Sequence, residues 1–197
     1  MINSYSRLTS VDVGLDAENV MSMDLNLFGM DRYRILRSPN HWIAQPAISN
    51  FYSSALERIV SLPGVESVAV TSNLPPRQGF SLQFSILGKP DTAGPERPRA
   101  AFHEVSPRYF EAMKIPLLRG RQFTDVDNET APGVVIISET LARQYFGTED
   151  PIGQSIQVRM HSPDSPLPPD RLREIVGVVR DIRMGFRSEF MPILYIP

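Results

Sequence analysis

VVIISETLARQYFGTEDPIGQSI, residues 134–156, decides the architecture of this chain. Val134, Val135, Ile136 and Ile137 are β-branched and apolar at consecutive positions, the pattern of a strand covered on both faces. Ser138 then offers a side-chain oxygen to the free amides of a helix start. Leu141, Ala142, Tyr145 and Phe146 recur at helical spacing as one apolar stripe, and Gly147 supplies the left-handed stop. A buried strand feeding straight into a capped helix is the mark of an α/β fold. It carries no chemistry of its own.

Downstream, Ile156, Val158 and Met160 alternate with polar residues as in a half-buried strand. A loop with prolines at 163, 166, 168 and 169 follows, then an apolar segment at 174–183 and a last strand at 193–196. Upstream, residues 100–105 form a strand that leads into SPRYFEAM, residues 106–113. There Ser106 is expected to cap a helix with Pro107 in its first position, and Tyr109, Phe110 and Met113 point inward. Phe80, Leu82, Phe84 and Ile86 alternate with Ser81, Gln83 and Ser85, so that strand meets water on one side.

The first third is expected to hold a βαβ unit. Met21, Met23, Leu25 and Leu27 alternate as a first strand. Residues 28–45, with Pro39 and an exposed His41-Trp42 pair, are read as irregular. Ile48, Phe51, Ala55, Ile59 and Leu62 then set a helix beginning near Pro46 and ended by Pro63-Gly64. Residues 65–71 supply the second strand, expected parallel to the first through a right-handed crossover. A boundary between two subdomains is placed near Thr124, with the terminal strand near Leu194 returning to the first.

Composition removes several function classes. The 197 residues are 42% hydrophobic, enough for a real core, and the net charge of -2 leaves no electrostatic footprint for nucleic acid. Cysteine is absent, so disulfides, thiolate catalysis and the common zinc sites go together. No apolar run approaches the roughly 20 residues that cross a bilayer. Residues 1–13 carry only a weak helical stripe, Ile2, Tyr5 and Leu8, and the other end stops inside a strand. The chain is therefore read as a piece of a longer polypeptide.

No Gly-rich phosphate loop, nucleophile elbow or HExxH motif is present. His41, His103 and His161 are too widely spaced for a metal site on one helix, and no metal, cofactor or catalytic residue is expected. Asp125, Asp127 and Glu129 superficially match the first ligands of a calcium loop. Thr130 and Ile136 stand where such a loop needs Gly and a bidentate Glu, which favours a solvated turn. Arg119 and Arg121 flank Gly120; their planar forks either bind an acidic partner or tie a loop to nearby carboxylates. A hydrolase would have to use Ser106 with His103, residues already explained as helix cap and strand end.

Four segments in one order carry a resemblance: LPGVESVAVTSNLPP at 62–76, VSPRYFEAMKIPLLRGRQFTDVD at 105–127, residues 134–156, and IVGVVRDIR at 175–183. Together they resemble the periplasmic core domain of MacB-type (FtsX-like) ABC-transporter permeases, closest to the orphan permeases known from acidobacteria. The resemblance implies an α/β (α+β) fold in two parts. Residues 1–15 would link from a transmembrane helix, residues 16–124 form a porter-like part with βαβ units, joined by 191–197, and residues 125–190 form a smaller Sabre-like part. It implies an extracytoplasmic, non-enzymatic domain that relays motion from a cytoplasmic ATPase during transport or efflux. Its partners would be transmembrane helices of the same permease, a second permease subunit and a periplasmic adaptor protein, with no nucleic acid. The alternative is a periplasmic solute-binding or chaperone-like module, which needs an apolar cleft near His41-Trp42 or at the subdomain junction.

Overall fold

The computed structural model describes residues 19–25, 34–38, 41–44, 46–75, 80–90, 97–128, 130–159, 172–183 and 190–197. Its elements are β1 (Arg34–Ser38), β2 (His41–Ala44), α1 (Pro46–Val60), β3 (Ser81–Ile86), β4 (Arg99–Glu104), α2 (Tyr109–Ala112), β5 (Leu117–Gly120), β6 (Val134–Ser138), α3 (Glu139–Phe146), β7 (Ser155–Arg159), β8 (Leu172–Val179) and β9 (Ile193–Ile196). Strands and helices interleave, as the mixed α/β reading requires.

One sheet dominates, in the order β5-β8-β6-β9-β4-β3-β7, and β7 also pairs with β8. That last pairing, Ser155 to Glu174 and Ile156 to Arg173, joins the far end of the sheet back to its beginning. Six strands, β8-β6-β9-β4-β3-β7, therefore close into a ring, and β5 hangs on the other half of β8. Closure removes exposed edges, which an open sheet must otherwise protect. The strands on both sides of Thr124 contribute to this one sheet, and β9 lies between β4, to which it is parallel, and β6, to which it is antiparallel.

Alternation along the strands sorts the core into two layers. Phe84 and Ile86, Ala100 and Phe102, Val135 and Ile137, Ile156 and Val158, Ile175 and Val178, Leu194 and Ile196 form one buried cluster. Every ring strand supplies a pair to it, so this cluster is the ring interior. Leu141 and Phe146 of α3 join the same cluster. An element outside the strands reaches a ring's interior only through an open end, so α3 caps that end.

The second cluster draws Ala101 and Val105 from β4 and its end, Val134 and Ile136 from β6, Val176 and Val179 from β8, and Ile193 and Tyr195 from β9. Neither β3 nor β7 contributes. This is the outer face of four ring strands, covered by Tyr109, Phe110, Met113, Ile115 and Phe123. Burying side chains of this size contributes about 1.5–3 kcal/mol each.

The expected buried strand and capped helix are as read. All five residues of β6 are buried, Ser138 Oγ accepts from Leu141 N at 3.3 Å, and Gly147 has φ 60°. Ser138 Oγ also accepts from Ile193 N at 3.1 Å, so the cap residue ties β9 to the start of α3. The strands at 80–86, 100–105, 156–159 and 193–196 and the helix from Pro46 form as expected. Met160 and the proline-rich loop lie outside the described residues.

Four expectations are corrected. Residues 21–25 form no strand, and Met21 and Met23 are exposed: alternation makes a ladder only against a partner strand, and none pairs with them among the described residues. Residues 65–71 make a single bridge, Thr71 to Val105, and it is antiparallel to the end of β4 instead of parallel to an upstream strand. Residues 28–45, read as irregular, contain the antiparallel pair β1–β2. Ser106 caps no helix; its hydroxyl accepts from Val70 N at 2.9 Å, and Arg108 holds the N-cap position of α2 without a side-chain bond.

Candidate functional site

The outer layer gathers most of the polar residues that the sequence singles out. Its cover runs from Val105 to Asp127 and is stitched to β8. Arg121 N donates to Val176 O at 2.8 Å, and Gly120 and Gly177 face each other across the seam. Between Val135 and Ile136 the β6–β8 register slips by one, so Val176 and Gly177 both turn to the outer face, a bulge. A Cβ on Gly177 would collide with the Arg121 carbonyl and press on Ile136 and Leu117. Gly120, at φ 75°, meets the Val176 carbonyl in the same way.

The two arginines tie loops to carboxylates. Arg121 grips Asp127 with both arms of its fork, Nη1 to Oδ2 at 2.7 Å and Nη2 to Oδ1 at 2.9 Å. Asp127 Oδ2 also accepts from the Thr124 amide at 2.8 Å and hydroxyl at 3.0 Å. The Arg121 hydrogen bonds, helped by those of Thr124 and opposed by burial, hold the Asp127 carboxyl down to about 2. Arg119 pairs with Asp150 at 2.7 Å on the surface. The Asp127 carboxylate is thus engaged within its own loop, and the turn at 124–128 closes through its own backbone, Asp127 N to Thr124 O. Glu129 and His161 lie outside the described residues. Among the described residues no group of three or more His, Asp or Glu is placed to hold a metal.

His103 and Ser106 do not form a dyad. The Ser106 hydroxyl serves Val70, and neither ring nitrogen of His103 has a hydrogen-bond partner. His103 is fully buried on β4, directly beside Tyr195 of β9 in the parallel register, with ring centroids 5.7 Å apart. Tyr109 packs on Tyr195 from the cover, 6.1 Å between centroids. Both tyrosine hydroxyls are buried without a partner as well. Burial lowers the His103 pKa, opposed by the Asn73 backbone, which reaches no full hydrogen bond. Burial likewise pushes both tyrosines up.

This polar trio was not singled out as a unit from the sequence. The available signal is that His103 shares its face with Ala101 and Val105, so a strand side read as core contains an imidazole. Asp181 is a second omission: buried after β8, it accepts from Thr140 N at 2.8 Å and Thr140 Oγ1 at 2.7 Å, which fixes the first turn of α3. Nothing local in the sequence announces a bond that spans 41 residues.

Two clefts are seen among the described residues. A groove of about 740 Å³ runs along α1, its described lining being Ala47, Asn50, Phe51, Ser54, Ala55, Arg58 and Ile59 of that helix. A smaller one of about 400 Å³ lies between the 127–134 turn, Arg173 and Pro197. Neither brings converging polar side chains onto an apolar floor. No described helix is long and apolar enough to cross a membrane.

The family profile of the MacB-like periplasmic core domain matches residues 15–197. Among solved structures, the periplasmic region of MacB from Actinobacillus actinomycetemcomitans is similar at 20% identity, over 74% of this chain and 54% of that one, with a TM-score of 0.48. The extracellular domain of the noncanonic ABC-type transporter YknZ from Gram-positive bacteria is similar at 19% identity, over 73% and 60%, with a TM-score of 0.46. A permease domain from Porphyromonas gingivalis gives 19%, 73%, 54% and 0.46 in the same order. The chain thus spans little more than half the length of the structures it matches. No curated protein matches it. With the family profile covering nearly the whole sequence and the fold mixed α/β, the chain belongs to the MacB-like periplasmic core domain family of ABC-transporter permeases and is an extracytoplasmic domain.

Proposed function

We propose that this domain is non-catalytic and relays motion, driven by a cytoplasmic ATPase, from the transmembrane helices of its permease to partners or exported substrate. The observation that carries the reading is the place of β9. It is wedged between β4 and β6 in the middle of the sheet, and its amide at Ile193 is tied to Ser138 at the root of α3. Displacement of that strand loads both neighbours and the helix at once, in a ring whose interior is close-packed and apolar. Packed cores transmit strain because they deform little. Among the described residues, Arg121, Asp127 and Ser106 are spent on holding loops, and the Ser106 hydroxyl serves Val70 instead of His103.

Within this reading a second permease subunit and a periplasmic adaptor are the partners, and a division of labour near Thr124 separates a porter-like part from a Sabre-like part. The segment most suited to moving against the ring is the strap at 70–73, held to the end of β4 by one bridge and by the Ser72 and Ser106 hydroxyls. Replacing Thr71 and Val105 by cysteine in the full-length permease and oxidising the pair would lock that strap. The expected result is ATP hydrolysis retained while transport falls, with recovery on reduction. Transport unchanged in the fully crosslinked protein would overturn the relay through this segment.

A further inference from the structure

The bonds that hold the strap cluster around one residue. Ser72 N donates to Glu104 O at 2.9 Å and Glu104 N to Ser72 Oγ at 3.0 Å; Ser106 N donates to Val70 O and Val70 N to Ser106 Oγ, both at 2.9 Å. All four fall within three residues after His103, and the Asn73 backbone acts on its ring. The imidazole thus lies under the strap with β9 on its other side. We propose that His103 is an acid-sensitive latch, and that a proton taken up on its imidazole releases the strap at 70–73 from the end of β4.

The argument is one of solvation. A neutral imidazole without a full hydrogen bond in an apolar layer is tolerated, whereas an imidazolium there is a buried charge that the Asn73 backbone offsets only in part, burial outweighing it. The titratable groups facing it are Tyr195 from β9 and, behind it, Tyr109 from α2, neither of which offers a negative charge at neutral or acid pH. Glu104 follows it on β4 with its side chain at the surface, its carboxyl pKa raised by partial burial and drawn back by Arg173, and Asp181 is engaged by Thr140. Among the described residues no carboxylate pairs with His103, so the charge must find water.

Of the elements around it, β9 is bonded on both edges and Tyr109 is locked in aromatic packing with Phe110 and Tyr195. The strap is half-buried and held by those four bonds, so it is the part that yields. Residues 61–69 run from α1 to the strap, and its release loosens the tether of that helix to the ring. The domain sits on the extracytoplasmic side, where pH follows the surroundings.

The sign follows from burial. The folded pKa lies below the unfolded 6.5, so the neutral latch holds fully above that value, and its contribution is lost as pH falls through the folded value. This inference does not depend on the relay, and it is read in the isolated 197-residue chain.

The test is amide hydrogen exchange at about pH 7.5 and about pH 5, corrected for intrinsic rates, on the wild-type chain and on His103→Phe. Protection at Val70, Ser72 and Ser106 is expected to drop at least about tenfold in acid, while Ile193 keeps its own. In His103→Phe the drop is expected to shrink below about twofold. Equal strap protection at both pH values in the wild type, or an undiminished drop in the variant, overturns the proposal. Should the variant not fold, NMR titration of the wild-type imidazole decides. Titration below the ordinary histidine range in step with strap opening supports the latch, and ordinary titration with the strap closed overturns it.

Discussion

The two buried layers of this domain share four strands and differ in what they contain. Inside the ring, six strands and α3 meet through aliphatic and phenylalanine side chains, with Tyr145 stacked edge-on against Phe84 at the rim, 5.1 Å and 83°. Outside it, the same β4 and β9 present His103 and Tyr195, and the cover adds Tyr109; four polar atoms there lack partners. A layer of the first kind is held by area alone and has no state to switch to. A layer of the second kind retains groups whose protonation or solvation changes its stability, and it lies under a strap of few bonds.

The difference yields graded consequences. Phe84→Ala empties part of the ring interior where no neighbour is free to collapse, and a loss of about 3–5 kcal/mol in denaturant unfolding is expected. A loss below about 1 kcal/mol would mean that the interior relaxes and is not the rigid layer. Asp181→Ala leaves the buried Thr140 amide and hydroxyl unmet at the junction of the two layers, for an expected loss of about 1–3 kcal/mol in the same measurement.

A smaller effect is expected at Arg121–Asp127, which is half open to water on the arginine side. The Asp127 carboxyl is held at about 2 against 3.8 unfolded, so the pair's contribution is complete above 3.8 and is lost as pH falls toward 2. An acid-unfolding curve should therefore be shallower in that window for Asp127→Asn than for the wild type. Identical curves would show the pair to be idle. Smallest of all is Tyr195→Phe: deleting a hydroxyl that has no partner is expected to change stability by less than about 1 kcal/mol, toward neutral or gain. A clear loss would reveal a hydrogen bond in the outer layer and erase its contrast with the ring.

Much of the ring was legible because its signals are local. β6 and α3 announce themselves through four β-branched residues, a serine cap and a glycine stop within 14 positions, 134–147. The outer layer's cover was legible as Tyr109, Phe110 and Met113 turned inward. What failed depended on partners far away in sequence. Met21, Met23 and Leu25 alternate like a strand but pair with no strand among the described residues, and Thr71 meets Val105 at one bridge only. Ser106 looked like a cap because serine before proline and an aromatic pair often is one; its hydroxyl went to Val70, 36 residues upstream. The β1–β2 pair was hidden by its brevity, although Pro39-Asn40 between two short runs is a turn signal in retrospect. Ring closure itself, Ile156 against Arg173 across the proline-rich loop, has no local signature at all.

The most direct measurement is native-state hydrogen exchange of this chain as denaturant is raised. The ring amides at Phe102, bonded to Phe80 O, and Ile175, bonded to Gln154 O, are expected to exchange only through global unfolding, with a full denaturant dependence. The strap amides at Val70 and Ser72 are expected to exchange through a local opening far below the global free energy and almost independent of denaturant. If strap and ring amides merge into a single unfolding free energy, the domain is one indivisible body and its division into a rigid ring and a yielding outer layer is wrong.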